Sequence, residues 1–564
     1  MLQNGKNEAD VFLSNGDEII IQGTHVSAGA IGAMLDAPVY YTVNIGSDTI
    51  AFVDNNNDLV SIGSYDLVFI GNGNDQISIG TNDIVVIGNG SDLVTAGPSG
   101  NIANDAITLG DGQSDFLHAA NNIENSIILF GNGNFDHMTA DNGMSNDFIA
   151  FGNGAEDSVI TAPPPGDGGS ISDSIITLGN GAGDFVIANV DLSGDKIALG
   201  SGAGDHVDAF VSISDSSVSL GSGAGDSVIA FDDIDGSAIS LGNGAGDFVE
   251  AFGAITNSHI TLGSGNDDLV TTGTGDISHD VITLGSGTGD AVYTGYPDGT
   301  SISNSTITLG GGAGDYVSAN TSMSDCIITL GSGNNDYVQT GYPDGTNISD
   351  STIALGDGNG DKVAANESIT DSTVTLGNGT GDQVFANAIS TGLTDDAITL
   401  GYGKDDSVTG SDGGGNTITL GNGSGDTVSL YGPGPGGDTI ATGTGSGDLV
   451  TVGTHTNPDT FVFALGTNGT DYTTVNGAAS GDTLEVPGGQ LGATLVNEST
   501  ADTTLLSFIS SLHLTKGDTY VGYNTTVDDT FVVTDTSGGQ TGAIELTSDA
   551  FQHSVLANHI LHLA

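Results

Sequence analysis

The sequence of 564 residues predicts an all-β fold, a long right-handed parallel β-roll (a β-solenoid) followed by a small β-rich domain. Three observations predict it. A unit of about 21 residues recurs along most of the chain, apolar residues alternate with variable ones inside each unit, and many of the 92 glycines lie between the alternating segments. With about 19 coils at roughly 4.8 Å each, the solenoid would be about 90 Å long.

The repeat is most regular in the middle of the chain, where the leucines that end one strand are spaced by 21 residues: Leu178, Leu199, Leu220, Leu241 and Leu262. The stretch LGNGAGDFV at 178–186 recurs unchanged at 241–249. Each leucine is followed by a glycine and, six residues later, by an aspartate. Similar units with somewhat variable steps extend the pattern in both directions.

Each unit is interpreted as two short strands joined by two turns. Ile176 and Leu178 are expected to point into the core, as are Val186 and Ala188 in the next strand, whereas Phe185 points outward. This alternation has the period of a strand. Glycine suits the turns because tight reversals need positive φ angles or close backbone approach.

The N-terminal coils are shorter. Aspartates recur there every 8 to 10 residues, and GNGNDQISI at Gly71–Ile79 is half a coil. The solenoid is predicted for residues 45–452. Residues 1–44 are expected to form an N-terminal cap or assembly segment, because an open solenoid exposes unpaired strand edges. Residues 453–564 lose the repeat and are expected to form the β-rich C-terminal domain.

The charge balance excludes several partners. The chain has 71 acidic and five basic residues, a formal net charge of -66. Nucleic acids are excluded because phosphate binding depends on basic patches. No apolar run is long enough to span a membrane. Cys326 is the only cysteine, so no internal disulfide can form, and it is expected to be a small strand residue.

The acidic turns create an electrostatic problem that a cation would solve. In parallel coils each aspartate lies about 4.8 Å from its copies, where two like charges repel by about 3–4 kcal/mol at an effective dielectric of 20. Ca²⁺ accepts six to eight oxygen ligands in flexible geometry, and glycine-rich turns offer carbonyl oxygens beside the carboxylates. The alternative is that each aspartate only caps its turn through hydrogen bonds.

The candidate Ca²⁺ ligands lie on two edges of the solenoid. On the first edge they are Asp58, Asp75, Asp92, Asp115, Asp136, Asp157, Asp184, Asp205, Asp226, Asp247, Asp268, Asp290, Asp315, Asp336, Asp361, Asp382, Asp406, Asp426 and Asp448. On the second edge they are Asp66, Asp83, Asp105, Asp173, Asp195 and Asp215. Asparagines such as Asn257, Asn304 and Asn416 interrupt the second edge, so capping without calcium remains open there.

The phrases GNGNDQISI, GNGSDLVTA and GNGAGDFVI resemble the glycine-rich nonapeptide repeats of RTX proteins. The resemblance implies a calcium-binding parallel β-roll. The C-terminal DDTFVVTD and HILHLA resemble the uncleaved signals of type I secreted RTX proteins, and MLQNGKNEADVF lacks the apolar segment of a Sec signal. The resemblance therefore implies a bacterial protein that is secreted without an N-terminal signal peptide and stays extracellular or on the cell surface.

No catalytic motif is recognisable, so an enzyme is not predicted, although one confined to 453–564 stays an alternative. His553, His559 and His562 are expected to be surface or packing residues. The sequence favours an extracellular calcium-dependent structural protein that self-assembles into a surface layer, filament or matrix, with cell-surface polysaccharide as a possible partner.

The alternative is a monomeric adhesin or an ice- or glycan-binding solenoid that uses outward threonines. Outward threonine or serine recurs near the end of the predicted strands, as at Thr177, Ser219, Ser240 and Thr261, but the outward residues two positions earlier are Ile175, Lys196, Ser217, Ala238 and His259, so no two-column threonine array is expected.

Overall fold

The computed structural model describes residues 8–12, 18–23, 41–97, 100–161, 169–295, 300–341, 347–389, 391–464, 472–485, 496–499, 519–524, 529–535, 541–547, 555–557 and 560–563. The chain divides into two compact units, Met1–Gly275 and Asp276–Ala564. Both are parallel β-solenoids, with about 20 turns in all, so the predicted fold class is confirmed. In the described part of the chain, no helix is long and apolar enough to cross a membrane.

A full coil contains three strands, which we call a, b and c. In one coil they are Ile175–Thr177, Phe185–Ala188 and Leu192–Ser193. Each pairs in parallel and in register with its counterpart on the next coil, so that Val186 lies opposite Val207. The sequence predicted a turn where the c-strand lies. A two-residue strand is too short for its alternation to be recognised.

The first unit begins with an antiparallel hairpin, Glu8–Phe12 and Glu18–Gly23, whose second strand pairs antiparallel with the first a-strand. The a-strands are Thr49–Phe52, Leu67–Ile70, Ile84–Ile87, Ala106–Thr108, Ile127–Leu129, Phe148–Ala150, Ile175–Thr177, Lys196–Ala198, Ser217–Ser219, Ala238–Ser240 and His259–Thr261. The b-strands are Tyr41–Ile45, Asp58–Ile62, Gln76–Ile79, Leu93–Ala96, Phe116–Ala119, His137–Ala140, Ser158–Thr161, Phe185–Ala188, His206–Ala209, Ser227–Ala230, Phe248–Ala251 and Leu269–Thr272. The c-strands are Ile102–Ala103, Asn122–Glu124, Gly143–Ser145, Ser170–Ser172, Leu192–Ser193, Ile213–Ser214, Ile234–Asp235 and Ile255–Thr256.

The second unit repeats this plan. Its a-strands are Val281–Thr283, Thr306–Thr308, Ile327–Thr329, Thr352–Ala354, Thr373–Thr375, Ala397–Thr399, Thr417–Thr419, Thr439–Ala441, Thr460–Val462 and Thr483–Glu485. Its b-strands are Ala291–Thr294, Tyr316–Ala319, Tyr337–Thr340, Lys362–Ala365, Gln383–Ala386, Ser407–Ser411, Thr427–Tyr431, Asp448–Val452 and Tyr472–Asn476. Its c-strands are Ile277–Ser278, Ile302–Ser303, Met323–Ser324, Ile348–Ser349, Ile369–Thr370 and Leu393–Thr394.

Parallel pairing in the second unit continues beyond residue 452. Tyr472–Asn476 pairs in parallel with Asp448–Val452, and Thr541–Thr547 then pairs in parallel with Tyr472–Asn476. The remaining strands are Gly434–Gly436, His455–Asn457, Val496–Ser499, Thr519–Asn524, Asp529–Asp535, Val555–Ala557 and Ile560–His562. Ile560–His562 pairs antiparallel with the last a-strand and covers its edge. His553 and His559 lie outside the described residues, whereas His562 is exposed.

The core of each unit consists of stacked aliphatic side chains. Ile176, Leu178, Val186 and Ala188 are at most 3% exposed, as the alternation predicted, whereas Phe185 faces outward and stacks on His206. Isoleucine, valine and leucine repeat at the same coil positions along both units. Because the apolar interior is continuous within a unit, the polar residues at the coil corners are held at fixed positions.

Candidate metal-binding columns

The first-edge aspartates form a buried column in each unit. We call it column 1; its residues precede or begin the b-strands, from Asp58 to Asp268 in the first unit and from Asp290 to Asp448 in the second. All of them are at most 1% exposed. The structure thus places every first-edge candidate at an equivalent inward-facing corner.

One carboxylate oxygen binds the neighbouring coil in the column 1 residues from Asp75 to Asp268 and from Asp315 to Asp448. Asp205 Oδ1, for example, accepts the backbone N–H of Asp184 at 3.0 Å, and Asp226 Oδ1 accepts that of Asp205 at 3.1 Å. The same contact recurs along the second unit, where Asp382 Oδ1 accepts the N–H of Asp361 at 3.0 Å. Column 1 therefore caps backbone donors, as the turn-capping alternative expected.

The second oxygen is different. Within the described residues, Oδ2 is buried and accepts no hydrogen bond in Asp75, Asp92, Asp115, Asp136, Asp157, Asp184, Asp205, Asp226, Asp247, Asp315, Asp336, Asp361, Asp382, Asp406 and Asp426. A buried carboxylate oxygen without a donor is costly, because desolvation is not compensated. Capping alone leaves this cost unexplained.

Burial raises the pKa of these carboxyls from the ordinary value of 3.8. The cause in each case is first the loss of solvation, which hydrogen bonds from the backbone partly oppose at every one of these residues except Asp58, where the neighbouring Asp54 and Asp75 raise the pKa further. The pKa is raised to about 7 at Asp58, Asp92, Asp115, Asp157, Asp315 and Asp426, and to about 6 at Asp75, Asp136, Asp184, Asp205, Asp226, Asp361 and Asp382. A bound cation or a proton would relieve this destabilisation.

Short and long turns place the aspartate equivalently. Asp92 ends the short GNGSD turn and Asp115 ends a turn with one more residue, yet Asp115 Oδ1 still accepts the N–H of Asp92 at 2.8 Å. The extra residue adopts a left-handed conformation, with φ of 61° at Ser114 and 75° at Gly183. The insertion is therefore absorbed before the aspartate, and the column continues unbroken.

Glycine is required at the centre of these turns because successive backbones touch. A Cβ on Gly202 would lie 1.5 Å from the carbonyl oxygen of Gly181, and one on Gly244 would lie 1.4 Å from that of Gly223 and 2.9 Å from Asp247 Oδ1. Such distances are impossible for real side chains. The column carboxylates are consequently packed against bare backbone.

The second edge forms another column, column 2, directly before the a-strands. Its members are Thr49, Asp66, Asp83, Asp105, Ser126, Asp147, Ser174, Asp195, Ser216, Ser237 and Ser258 in the first unit, and Asp280, Ser305, Cys326, Ser351, Ser372, Asp396, Asn416, Asp438, Asp459 and Asp482 in the second. These side chains also accept or approach the N–H of the preceding coil; Asp195 Oδ1 accepts that of Ser174 at 2.8 Å. Unlike column 1, column 2 has mixed composition.

Nearby backbone groups form hydrogen bonds with most of the column 2 side chains. Asp195 Oδ2 accepts the N–H of Ser193 at 2.9 Å, and Asp105, Asp147 and Asp396 make the same contact two residues back. A serine instead donates its hydroxyl to the carbonyl two residues back, as Ser216 does to Ser214 at 2.8 Å. Among the second-edge candidates, only the Oδ2 atoms of Asp66 and Asp83, in the short coils, resemble column 1 in having no donor within the described structure.

Two second-edge candidates lie outside column 2. Asp173 and Asp215 are exposed and adopt left-handed φ angles of 50° and 48°, and the next residues, Ser174 and Ser216, occupy the column. The prediction of their register was therefore off by one residue, because a left-handed turn position favours aspartate and asparagine as much as a capping position does. The same one-residue displacement applies to Asn257 and Asn304, which directly precede the column.

Several acidic residues of column 2 were not among the predicted ligands, namely Asp147, Asp280, Asp396, Asp438, Asp459 and Asp482. The available signal was the buried apolar residue of the c-strand, which lies three positions before the column: Ile277 precedes Asp280 and Leu393 precedes Asp396. It was overlooked because the c-strands themselves were not predicted.

The outer a-strand face of the second unit carries an interrupted two-column threonine array, in which three of the a-strands have threonine at both outward positions, namely Thr306–Thr308, Thr373–Thr375 and Thr417–Thr419. One column contains Thr306, Thr352, Thr373, Thr417, Thr439, Thr460 and Thr483, and the other contains Thr308, Thr329, Thr375, Thr399 and Thr419. All are exposed or half-buried, and the strands pair in register. The residues that supported the expectation, Lys196 and His259 among them, all belong to the first unit, whereas in the second unit paired threonines occur and residues such as Ile327 interrupt their columns.

Comparisons with known proteins add little. No protein-family model and no curated protein matches the chain. A solved structure of the PL6 family alginate lyase AlyGC is similar at 10% identity, covering 79% of this chain and 94% of that chain, with a TM-score of 0.14. A likeness at this level supports no statement about activity.

Proposed function

We propose that the protein is an extracellular, calcium-dependent structural protein of RTX-like repeats that self-assembles into a surface layer, filament or matrix. The observation that supports it most is column 1, with its long series of buried carboxylates whose Oδ2 accepts no hydrogen bond in the described residues. The net charge of -66 also favours bound cations, because the mutual repulsion of so many acidic groups opposes a compact state.

Calcium fits the chemistry of column 1. The ligand atoms on offer are carboxylate oxygens and the carbonyl oxygens of the adjacent glycine backbone. Ca²⁺ prefers oxygen ligands of both of these kinds. Bound calcium would supply positive charge between the stacked carboxylates. Column 1, together with Asp66 and Asp83 in the short coils, would hold the ions, whereas most of column 2 would cap backbone groups without metal.

Calcium dependence also suits secretion by the type I route. Metal binding is coupled to folding when the site does not exist in the unfolded chain. A chain with weak sites would stay unfolded at the low calcium of the cytosol and fold outside the cell. The resemblance of the C-terminal DDTFVVTD and HILHLA to type I signals supports this route; residues 528, 559 and 564 of these segments lie outside the described structure.

An uncharged strip supports contact between copies. Phe210, Phe231 and Phe252 stack on successive coils with ring centroids 4.8 and 5.1 Å apart, and they are 43–48% exposed. Exposed apolar patches commonly mark interaction sites. Such a strip would allow association once calcium has neutralised the acidic columns.

Calcium titration tests the proposal. The full chain, stripped of metal, should gain a β-type circular dichroism signal on addition of Ca²⁺, lose it with EGTA, and form regular assemblies visible by electron microscopy. Mg²⁺ at the same concentration is the control and should induce neither change fully. A chain that is completely folded in EGTA, or one that folds with calcium but stays monomeric, would contradict the calcium and the assembly parts respectively.

Phe231→Ser separates assembly from folding. It should weaken assembly while leaving the calcium-induced circular dichroism signal unchanged. His259→Ser, an exposed position on another face, is the matched control. Equal assembly by both variants would exclude the phenylalanine strip as the contact.

The threonine array favours a second candidate, a surface-binding module for ice or a glycan. Hydroxyls two residues apart on one strand lie about 6.6 Å apart, and those on neighbouring strands about 4.8 Å apart, so the threonines that are present lie at regular spacings. Thr373→Lys combined with Thr399→Lys should abolish ice or glycan binding without affecting calcium-induced folding. Ser217→Lys on the corresponding face of the first unit is the control; equal binding by all three proteins would reject this candidate.

A further inference from the structure

The last coils of the second unit contain a buried imidazole among column 2 carboxylates. His455 lies on a short strand, His455–Asn457, that pairs in parallel with Gly434–Gly436. Its side chain is 3% exposed, and the side chains of Asp459 and Asp482 are each 1% exposed. These groups are therefore isolated from solvent, so their charges and hydrogen-bonding capacity must be balanced within the cluster and by the adjacent backbone.

The protonation of His455 follows from its neighbours. Nδ1 lies 3.0 Å from the carbonyl oxygen of Gly453, which can only accept, so Nδ1 carries a proton. Nε2 lies 3.0 Å from Asp482 Oδ1. A neutral ring would direct its Nε2 lone pair at a carboxylate oxygen. A cation, either a proton or a metal ion, must therefore lie beside Nε2.

The carboxylates are fixed by the column. Asp482 Oδ1 also accepts the N–H of Asp459 at 2.8 Å, and Asp482 Oδ2 accepts that of Ala479 at 2.7 Å. Asp459 Oδ1 accepts the N–H groups of Gly437 and Asp438 at 2.8 and 3.0 Å. Asp459 Oδ2 accepts no hydrogen bond within the described residues and lies 3.4 Å from His455 Nδ1, whose proton is directed at Gly453. A buried, unpartnered oxygen is thus directed into the cluster.

We propose that His455, Asp459 and Asp482 bind one divalent transition-metal ion of the Zn²⁺ type. One ligand atom from each residue lies within 4.8 Å of the other two. An imidazole with two carboxylates is a typical donor set for zinc and for neighbouring first-row metals, whereas Ca²⁺ prefers oxygen alone. This site is independent of the calcium proposed for column 1.

The ion would join consecutive coils at the C-terminal end of the solenoid. Asp459 precedes the a-strand Thr460–Val462, and Asp482 precedes the next a-strand, Thr483–Glu485, so their two coils would share one ion. Binding requires the loss of a proton from Nε2, so affinity should fall in acid.

Zinc titration of the full chain tests the site. The protein is kept in excess Ca²⁺ to occupy the oxygen-only sites and is titrated with Zn²⁺ near neutral pH by calorimetry. One tight equivalent is expected. His455→Asn and Asp459→Asn should each weaken zinc binding. Loss of a residue that only supports a ligand weakens metal binding by about 10- to 100-fold, and loss of a ligand itself should weaken it by more. His259→Asn, at an exposed position, should leave it unchanged.

A spectroscopic measurement on the wild-type chain tests the same site. Co²⁺ added to the wild-type chain should give the visible absorption of a low-symmetry site with nitrogen and oxygen ligands, and Zn²⁺ should displace it. If His455→Asn binds zinc as tightly as the wild type, or if the His455 nitrogen resonances remain those of an imidazolium after Zn²⁺ is added, the cluster is only an ion pair and the proposal is wrong.

Discussion

Asp205 in column 1 and Asp195 in column 2 are ten residues apart, and both are buried in the first unit. Each uses Oδ1 to accept an N–H from the preceding coil, that of Asp184 and that of Ser174. They differ at the second oxygen, because Asp195 Oδ2 accepts the N–H of Ser193 whereas Asp205 Oδ2 accepts none in the described structure.

This difference explains the composition of the two columns. Where the local backbone satisfies both ends of the side chain, serine, cysteine or asparagine can replace aspartate, as at Ser216, Cys326 and Asn416. In column 1, where the second oxygen of most residues accepts no hydrogen bond within the described structure, aspartate is present on every coil. A carboxylate kept at an unfavourable position along a whole column indicates that the charge itself is needed.

The largest expected effect is on the pH dependence of the metal-free protein. Burial raises the folded-state pKa of Asp205 from 3.8 to about 6 and that of Asp115 to about 7. The folded state therefore binds more protons than the unfolded state, and this stability is complete below about pH 4 and is lost as the pH rises through 6 to 7. The β-type circular dichroism signal of calcium-stripped protein should therefore be present near pH 4 to 5 and fall as the pH rises across this range.

Calcium should reverse that trend. Protons compete with Ca²⁺ for the column 1 carboxylates, so in saturating calcium the urea midpoint should rise from pH 5 toward neutrality. The pH dependence of folding should therefore have opposite signs with and without calcium. A metal-free β signal that increases with pH would show that the column 1 carboxylates are not destabilised by burial.

A matched pair of substitutions tests the second oxygen directly. Asp195→Asn places an NH₂ group against a backbone N–H, and it should destabilise the protein by about 1–3 kcal/mol without changing calcium uptake. Asp205→Asn keeps the acceptor for Asp184 and removes a buried charge. It should therefore stabilise the metal-free protein near neutral pH and lower calcium uptake.

The pH at which each variant in EGTA loses its β-type circular dichroism signal reports the metal-free stability, and calorimetry reports the calcium uptake. The comparison is sharp because the substitutions are identical and the expected changes in metal-free stability have opposite signs. Equal loss of calcium by both variants would mean that column 2 holds metal as well, and unchanged uptake by Asp205→Asn would remove this residue from the ligand set.

The sequence predicted what depends on fixed spacing. The core positions of Leu178 and Val186, and column 1 in the long coils, follow from the constant distance between each leucine and its aspartate, and column 1 in the short coils follows from the recurrence of aspartate every 8 to 10 residues. The register of column 2 could not be predicted equally well, because aspartate suits both the exposed left-handed position of Asp173 and the buried cap of Asp195. His455 was missed because its contact with Asp482 joins residues 27 positions apart on different coils.

The smallest effect is expected at Cys326, which occupies a position that serine holds on neighbouring coils. Its Sγ donates to the carbonyl oxygen of Ser324 at 3.2 Å, the contact that Ser305 and Ser351 make with their hydroxyls at 2.8 and 2.7 Å. Cys326→Ser should therefore change the free energy of unfolding by no more than about 0.5 kcal/mol and leave calcium uptake unchanged. Val338→Ser, a change of a fully buried core residue in the same unit, is the destabilising control. A large loss of stability in Cys326→Ser would show that column 2 depends on the thiol itself, and the interchangeability that distinguishes it from column 1 would not hold.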